Sequence, residues 1–225
     1  MNRIIVLISL LASVLPAAAI SFRVLPWDEE TSERKLAIGS GKDSVVIGYM
    51  HPAARSAPVK VPDATEGLRL IANDRKNDDG TPASVPLVLG EGIKNPLLLI
   101  LPDAKSKAGV RAMILEDDRQ TFKWGTIRLL NSTSEQLVFR WDKDARSIPP
   151  GWKPVDVEPG GKSRNVMVYL YQKENLKDPL YSAVWEHRDD MRQLVFLVPN
   201  PDPAMGPVAF KFVSETRVEA DEKPE

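Results

Sequence analysis

The only imidazoles in this sequence, the side chains most apt to take and return a proton near neutral pH, are those of His51 and His187. A hydrolytic triad sets such a ring between a nucleophile and an orienting carboxylate. Glu186, Asp189 and Asp190 stand beside His187, which supplies the carboxylate half of that pattern. No Gly-x-Ser-x-Gly turn or other nucleophile signature supplies the rest. The expectation is therefore a solvent-facing His187 near a strand end, and no catalytic residue. Metal chemistry is as poorly supplied: with no cysteine and no histidine pair at helical spacing, three or four nitrogen or sulfur ligands for zinc are not found together. The run Asn73-Asp74-Arg75-Lys76-Asn77-Asp78-Asp79-Gly80 is similar to part of a calcium loop. Counting back from Gly80, however, Arg75 occupies the place of the first carboxylate and Pro86 that of the bidentate glutamate. The Asp79-Gly80 pair reads instead as the turn of a polar hairpin, and neither metal nor cofactor is expected.

Five tryptophans offer a different chemistry, because flat aromatic faces on a β scaffold can stack on sugar rings. Trp152 follows the turn Pro149-Pro150-Gly151 and is expected at an exposed loop tip, where it is the one candidate ligand platform. Trp141 and Trp185 fall inside apolar segments and are expected between sheets. Trp27 and Trp124, separated by 97 positions, read as matched structural residues ahead of the first strands of two similar halves. Asn131-Ser132-Thr133 fits the glycosylation sequon, a match that occurs often by chance.

The amino-terminal stretch gives an address. Asn2-Arg3 is a short positive start, 4–15 is an uncharged apolar run, and Ala17-Ala18-Ala19 is a small-residue cleavage site, with Ala17 and Ala19 filling the two subsites. An exported protein starting at Ile20 is expected, periplasmic or extracellular. About a dozen apolar residues fall short of the roughly 20 needed to span a bilayer as a helix, so no transmembrane span is expected after cleavage. Loss of Arg3 takes the formal charge from −1 to about −2, with both signs mixed along the chain. That pattern predicts no nucleic-acid partner.

The elements that must position these residues are short and apolar. In the second half they fall at 126–130, 136–141, 154–157, 165–171, 180–186, 193–198 and 208–213, separated by stretches rich in Gly, Pro, Asn and Asp. Leu137, Phe139 and Trp141 share one face by the period of two. Residues 165–171 are apolar on both faces, which predicts a central strand or one at a contact between halves. The chain also repeats its punctuation. Pro102 and Gly109 are answered by Pro199 and Gly206, Leu97-Leu98-Leu99-Ile100-Leu101 by Leu194-Val195-Phe196-Leu197-Val198, and 58–62 by 154–159. Ala54-Arg55-Ser56 is matched with Ala145-Arg146-Ser147, where the offset falls from 97 to 91. Four matches in one order argue for a duplicated unit of about 95 residues.

These patterns predict an all-β protein of two tandem immunoglobulin-like β-sandwich domains, of about seven strands each, at 20–118 and 119–215. One enlarged β-sandwich is the competing architecture. The acidic tail 216–225 is expected to be disordered. At Gly125-Thr126-Ile127-Arg128-Leu129-Leu130-Asn131, the Pro150-Gly151 turn and the terminal strand pair, the second half resembles a group of uncharacterised secreted bacterial β-sandwich proteins. That resemblance implies a β-sandwich and an extracytoplasmic home, and carries over no activity. The functional expectation is an exported, non-catalytic binding or structural protein of the cell envelope, with an unknown protein or polysaccharide partner. The alternatives are a carbohydrate-binding module and, further off, a hydrolase on a β scaffold.

Overall fold

The computed structural model of the protein describes residues 19–40, 43–62 and 67–222; most of the leader, Ala17 included, lies outside them. The chain is mostly β. In its first half β1 (Ile20–Pro26), β4 (Val59–Val61), β7 (Pro96–Pro102) and β8 (Val110–Glu116) form one sheet in the order β4-β1-β7-β8. A second sheet joins β2 (Leu36–Ser40), β3 (Asp43–Val46), β5 (Arg69–Lys76) and β6 (Pro82–Pro86) in the order β3-β2-β5-β6. The second half supplies β9 (Ile127–Asn131), β10 (Leu137–Trp141), β11 (Asp144–Ile148), β12 (Val155–Val157), β13 (Arg164–Gln172), β14 (Tyr181–His187), β15 (Met191–Pro199) and β16 (Val208–Thr216). Its two sheets run β12-β9-β15-β16 and β11-β10-β13-β14, the same orders shifted by eight strands. In each half the first and seventh strands pair parallel, Arg23 beside Leu97 and Arg128 beside Leu194.

Among the described residues each half thus has eight strands, one more than the apolar pattern shows. The additional strand of the second half is β11, whose Asp144–Ser147 stretch is exposed and carries no apolar signal for the eye to catch. Alternation holds where one face is wet: Leu137, Phe139 and Trp141 are buried while Arg140 is exposed. β13 is central, between β10 and β14.

The contact between the halves is made elsewhere, by β7 and β15. Leu98 and Ile100 turn into the core shared by the two sheets of the first half, and Val195 and Leu197 into that of the second. Their neighbours Leu97, Leu99 and Leu101 meet Leu130, Leu194 and Phe196 in a third apolar core, which also takes in Leu25, Phe122 and Val213. The unbroken runs at 97–101 and 194–198 follow from this, since a strand buried on both faces has no reason to alternate.

Three expectations need correction. Trp27 follows β1, whereas Trp124 precedes β9, so the two are not matched positions. Arg55 lies buried in the connection from β3 to β4 and Arg146 lies exposed on β11, so the match of 54–56 with 145–147 fails too. Most of the tail forms α2 (Arg217–Glu222), and 223–225 lie outside the described residues. Glu219 Oε2 accepts from Thr216 N at 2.8 Å and from its hydroxyl at 2.9 Å, a capping box at the helix start, and Ala220 is fully buried.

Candidate functional site

The densest polar chemistry lies at the edge of the third core. Arg192 on β15, Arg23 on β1 and Arg55 from the β3–β4 connection converge there on Asp117, just beyond β8, and Glu215 near the end of β16. Asp117 sits across from Asn95 in the first half as Glu215 sits across from Arg192 in the second. Asp117 accepts from Arg55 Nε at 2.7 Å and Nη2 at 2.9 Å, and from Arg192 Nη2 at 3.2 Å. Glu215 accepts from Arg192 Nε at 2.6 Å and from Arg23 Nη2. Arg192 also donates to the Asp117 carbonyl at 2.7 Å and the Phe122 carbonyl at 3.3 Å.

Three guanidiniums against two carboxylates leave one positive charge in excess, in a place where all five side chains are nearly closed to water. Burial, and then the like charge of Arg55 set against the two carboxylates, lowers the Arg192 pKa from the usual arginine value. The phenyl ring of Phe122 spreads the load: Arg128, Arg192 and Arg55 lie 4.2, 5.2 and 5.9 Å from its centroid. Arg128 is itself bound by Asp156 through two 2.7 Å hydrogen bonds. The cluster joins β1 and β8 of one half to β15 and β16 of the other, and its chemistry is that of a lock between them.

His187 is 3% exposed, contrary to the solvent-facing expectation, and its Nε2 has no hydrogen-bond partner among the described residues. The segment linking the halves covers it: Gly125, at φ +81°, runs so close that a Cβ there would lie 3.5 Å from His187 Cε1. A small depression of about 130 Å³ beside the ring is lined by Glu158 and Asp189 among others. Asp189, however, accepts from Ser163 at 3.3 Å and Asp190 binds Arg188 at 2.8 and 2.9 Å, so neither is hydrogen-bonded to the imidazole. His51 is exposed and far along the chain, with Nδ1 accepting from Ala53 N at 3.1 Å. The two histidines belong to separate surroundings.

The run 73–80 is the end of β5 and the turn of the β5–β6 hairpin, closed by Gly80 N donating to the Asn77 carbonyl at 3.0 Å. Gly80 has φ +82°, Asp79 accepts from Thr81, Asp74 binds Arg34 and Asp78 binds Lys107, and no group of three metal-capable side chains occurs among the described residues. Asn131 is fully buried, and its amide donates to the carbonyls of Glu135 and Ile148, so the folded chain hides the sequon asparagine from glycosylation.

Trp152 departs from the free loop tip. It is half-buried, packs edge-on to Trp27 at 5.8 Å and tilted against Phe196 at 6.0 Å, and lies under Arg111 at 5.7 Å. Its φ of +66° is held by a hydrogen bond from its backbone N to the Asn131 carbonyl. Trp152→Ala should therefore lower stability by about 1–3 kcal/mol, a partly buried share of the 3–5 typical of buried tryptophan. Denaturant unfolding of the variant checks this; an unchanged midpoint would return the ring to a purely surface role.

No protein-family model matches the chain, and no curated protein sequence does either. No helix among the described residues is long and apolar enough to cross a membrane.

Proposed function

We propose that this is an exported, non-catalytic binding or structural protein of the cell envelope, periplasmic or extracellular, built from a duplicated immunoglobulin-like β-sandwich unit. The duplication is supported by the identical strand orders and by the place-for-place correspondence of Arg23 with Arg128, Leu97 with Leu194 and Asp117 with Glu215. One observation carries the functional reading: the densest buried polar cluster in the described fold is spent on fastening two halves back to back. Such a fastening makes a stiff double unit and leaves the outer edges and faces to partners.

The catalytic alternative finds little support in a histidine bonded to no nucleophile, and the sugar-binding alternative in a Trp152 packed into the third core. β1 starts at Ile20 and is paired to β4 from that residue, so a cut after the exposed Ala19 would leave the strand whole. Amino-terminal sequencing of the protein recovered outside the cytoplasm of an exporting host should read from Ile20. Recovery of that protein with Met1 intact would overturn cleavage and make the leader an anchor.

A further inference from the structure

An open groove of about 620 Å³ runs between the edge strands β3 and β4 of the first half. Apolar surface lines it where none is required for folding: Val46 is 68% exposed and Tyr49 83%. Its ionisable side chains are all basic, with exposed Lys60 and His51 at the surface and buried Arg55 below, and no carboxylate occurs among the lining residues. Arg55 lies behind the groove with its side chain 1% exposed and spends Nε and Nη2 on Asp117, so the charge within reach of a ligand is that of Lys60.

The register says what β3 leaves open. Ile47 N donates to the Leu36 carbonyl, and hydrogen-bonded pairs alternate along an antiparallel ladder, so Val45 and Asp43 continue the bonding to β2. Ser44 and Val46 accordingly turn their N–H and C=O groups away from β2, toward the free edge. The corresponding edge of the second half, β11, is charged and polar over 144–147, a usual guard against added strands. β3 ends in Val45-Val46 instead.

We propose that β3 accepts an extended, carboxylate-bearing peptide segment of a partner protein as an added strand, with its main chain on Ser44 and Val46, its apolar side chains against Val46 and Tyr49, and a carboxylate toward Lys60. Main-chain pairing supplies affinity and the cationic lining supplies the preference for acid over amide. The proposal rests on the reading of this chain as a binding protein and names the class of partner.

The test is titration of isotope-labelled protein 20–225 with a short acetylated peptide alternating valine and glutamate, and with its valine–glutamine counterpart. The glutamate peptide is expected to shift the amide resonances of Val46, Tyr49 and Lys60, and the glutamine peptide to bind at least tenfold more weakly. Val46→Pro removes an N–H that β2 does not use, and Lys60→Glu reverses an exposed charge. Both variants should keep the wild-type spectrum elsewhere and weaken the glutamate peptide at least tenfold. No shift up to millimolar peptide, equal binding of the two peptides, or shifts confined to other surfaces would overturn the proposal. So would glutarate alone reproducing the shifts with Val46→Pro indifferent, since the groove would then be a small-acid pocket. Any of these failures leaves export and a structural role standing, because sequencing from Ile20 tests the first and hydrogen exchange across the two halves tests the second.

Discussion

Asp117→Asn should destabilise the protein by about 3–5 kcal/mol, the range expected when one partner of a buried ion pair is removed. Coulomb attraction between Asp117 and its three arginines is lost, and the two guanidiniums it bonds directly remain in place with one carboxylate to share. The amide that replaces it turns donors toward donors. The same geometry gives the pH dependence. Burial on its own would raise the Asp117 pKa, but the charge and hydrogen bonds of Arg55, with the charges of Arg192 and Arg23, outweigh it and hold the carboxyl below its usual range. Glu215 is likewise lowered, burial being overcome by the charge of Arg55 and the hydrogen bond from Arg23. A carboxyl whose folded pKa lies below its unfolded one contributes stability in full above about pH 4, and loses it as pH falls through the folded value. Urea unfolding should thus show a wild-type stability that is flat through neutral pH and falls below about pH 4. In the Asp117→Asn variant that acid-side fall should be smaller, since one of the groups responsible is gone.

Phe196→Ala should cost about 3–5 kcal/mol, and the loss should be felt in both halves. Phe196 is fully closed to solvent, belongs to the third core, and meets Trp27 of the first half edge-on at 5.5 Å. Removing the ring opens a void between sheets of different halves, not inside one of them. Neighbouring atoms on both sides lose contacts that water does not replace.

The sequence made the β character and the places of most strands legible, because alternation such as that of Leu137, Phe139 and Trp141 and the punctuation by Gly and Pro are local signals. β11 escaped because its one core residue, Ile148, comes at its end after the exposed Asp144–Ser147 stretch, and most of the strand is held only by its ladder to β10. The run 97–101 was readable as a strand, but the expectation of two covered faces falls on 165–171 instead. What covered the second face of 97–101 was a stretch nearly a hundred positions away, which periodicity does not reveal. The cluster of Arg23, Arg55, Asp117, Arg192 and Glu215 was invisible for the same reason, since no two of its members are near neighbours in sequence. Trp152 and His187 were misplaced because a loop or strand-end position says nothing about the linker and the opposite half that close over it. The helix α2 did have a local signal, Thr216 three residues before Glu219, which the acidic composition of the tail obscured.

Hydrogen exchange in the presence of sub-denaturing urea, followed peptide by peptide, tests most directly the claim that the two halves are locked into one body. Amides of β2 and β5 in the first half and of β10 and β13 in the second should open with the same free energy and the same urea dependence. Phe196→Ala should lower both by the same amount. Two separate opening free energies, with Phe196→Ala lowering only that of the second half, would contradict the account and make the halves independent domains on a common chain.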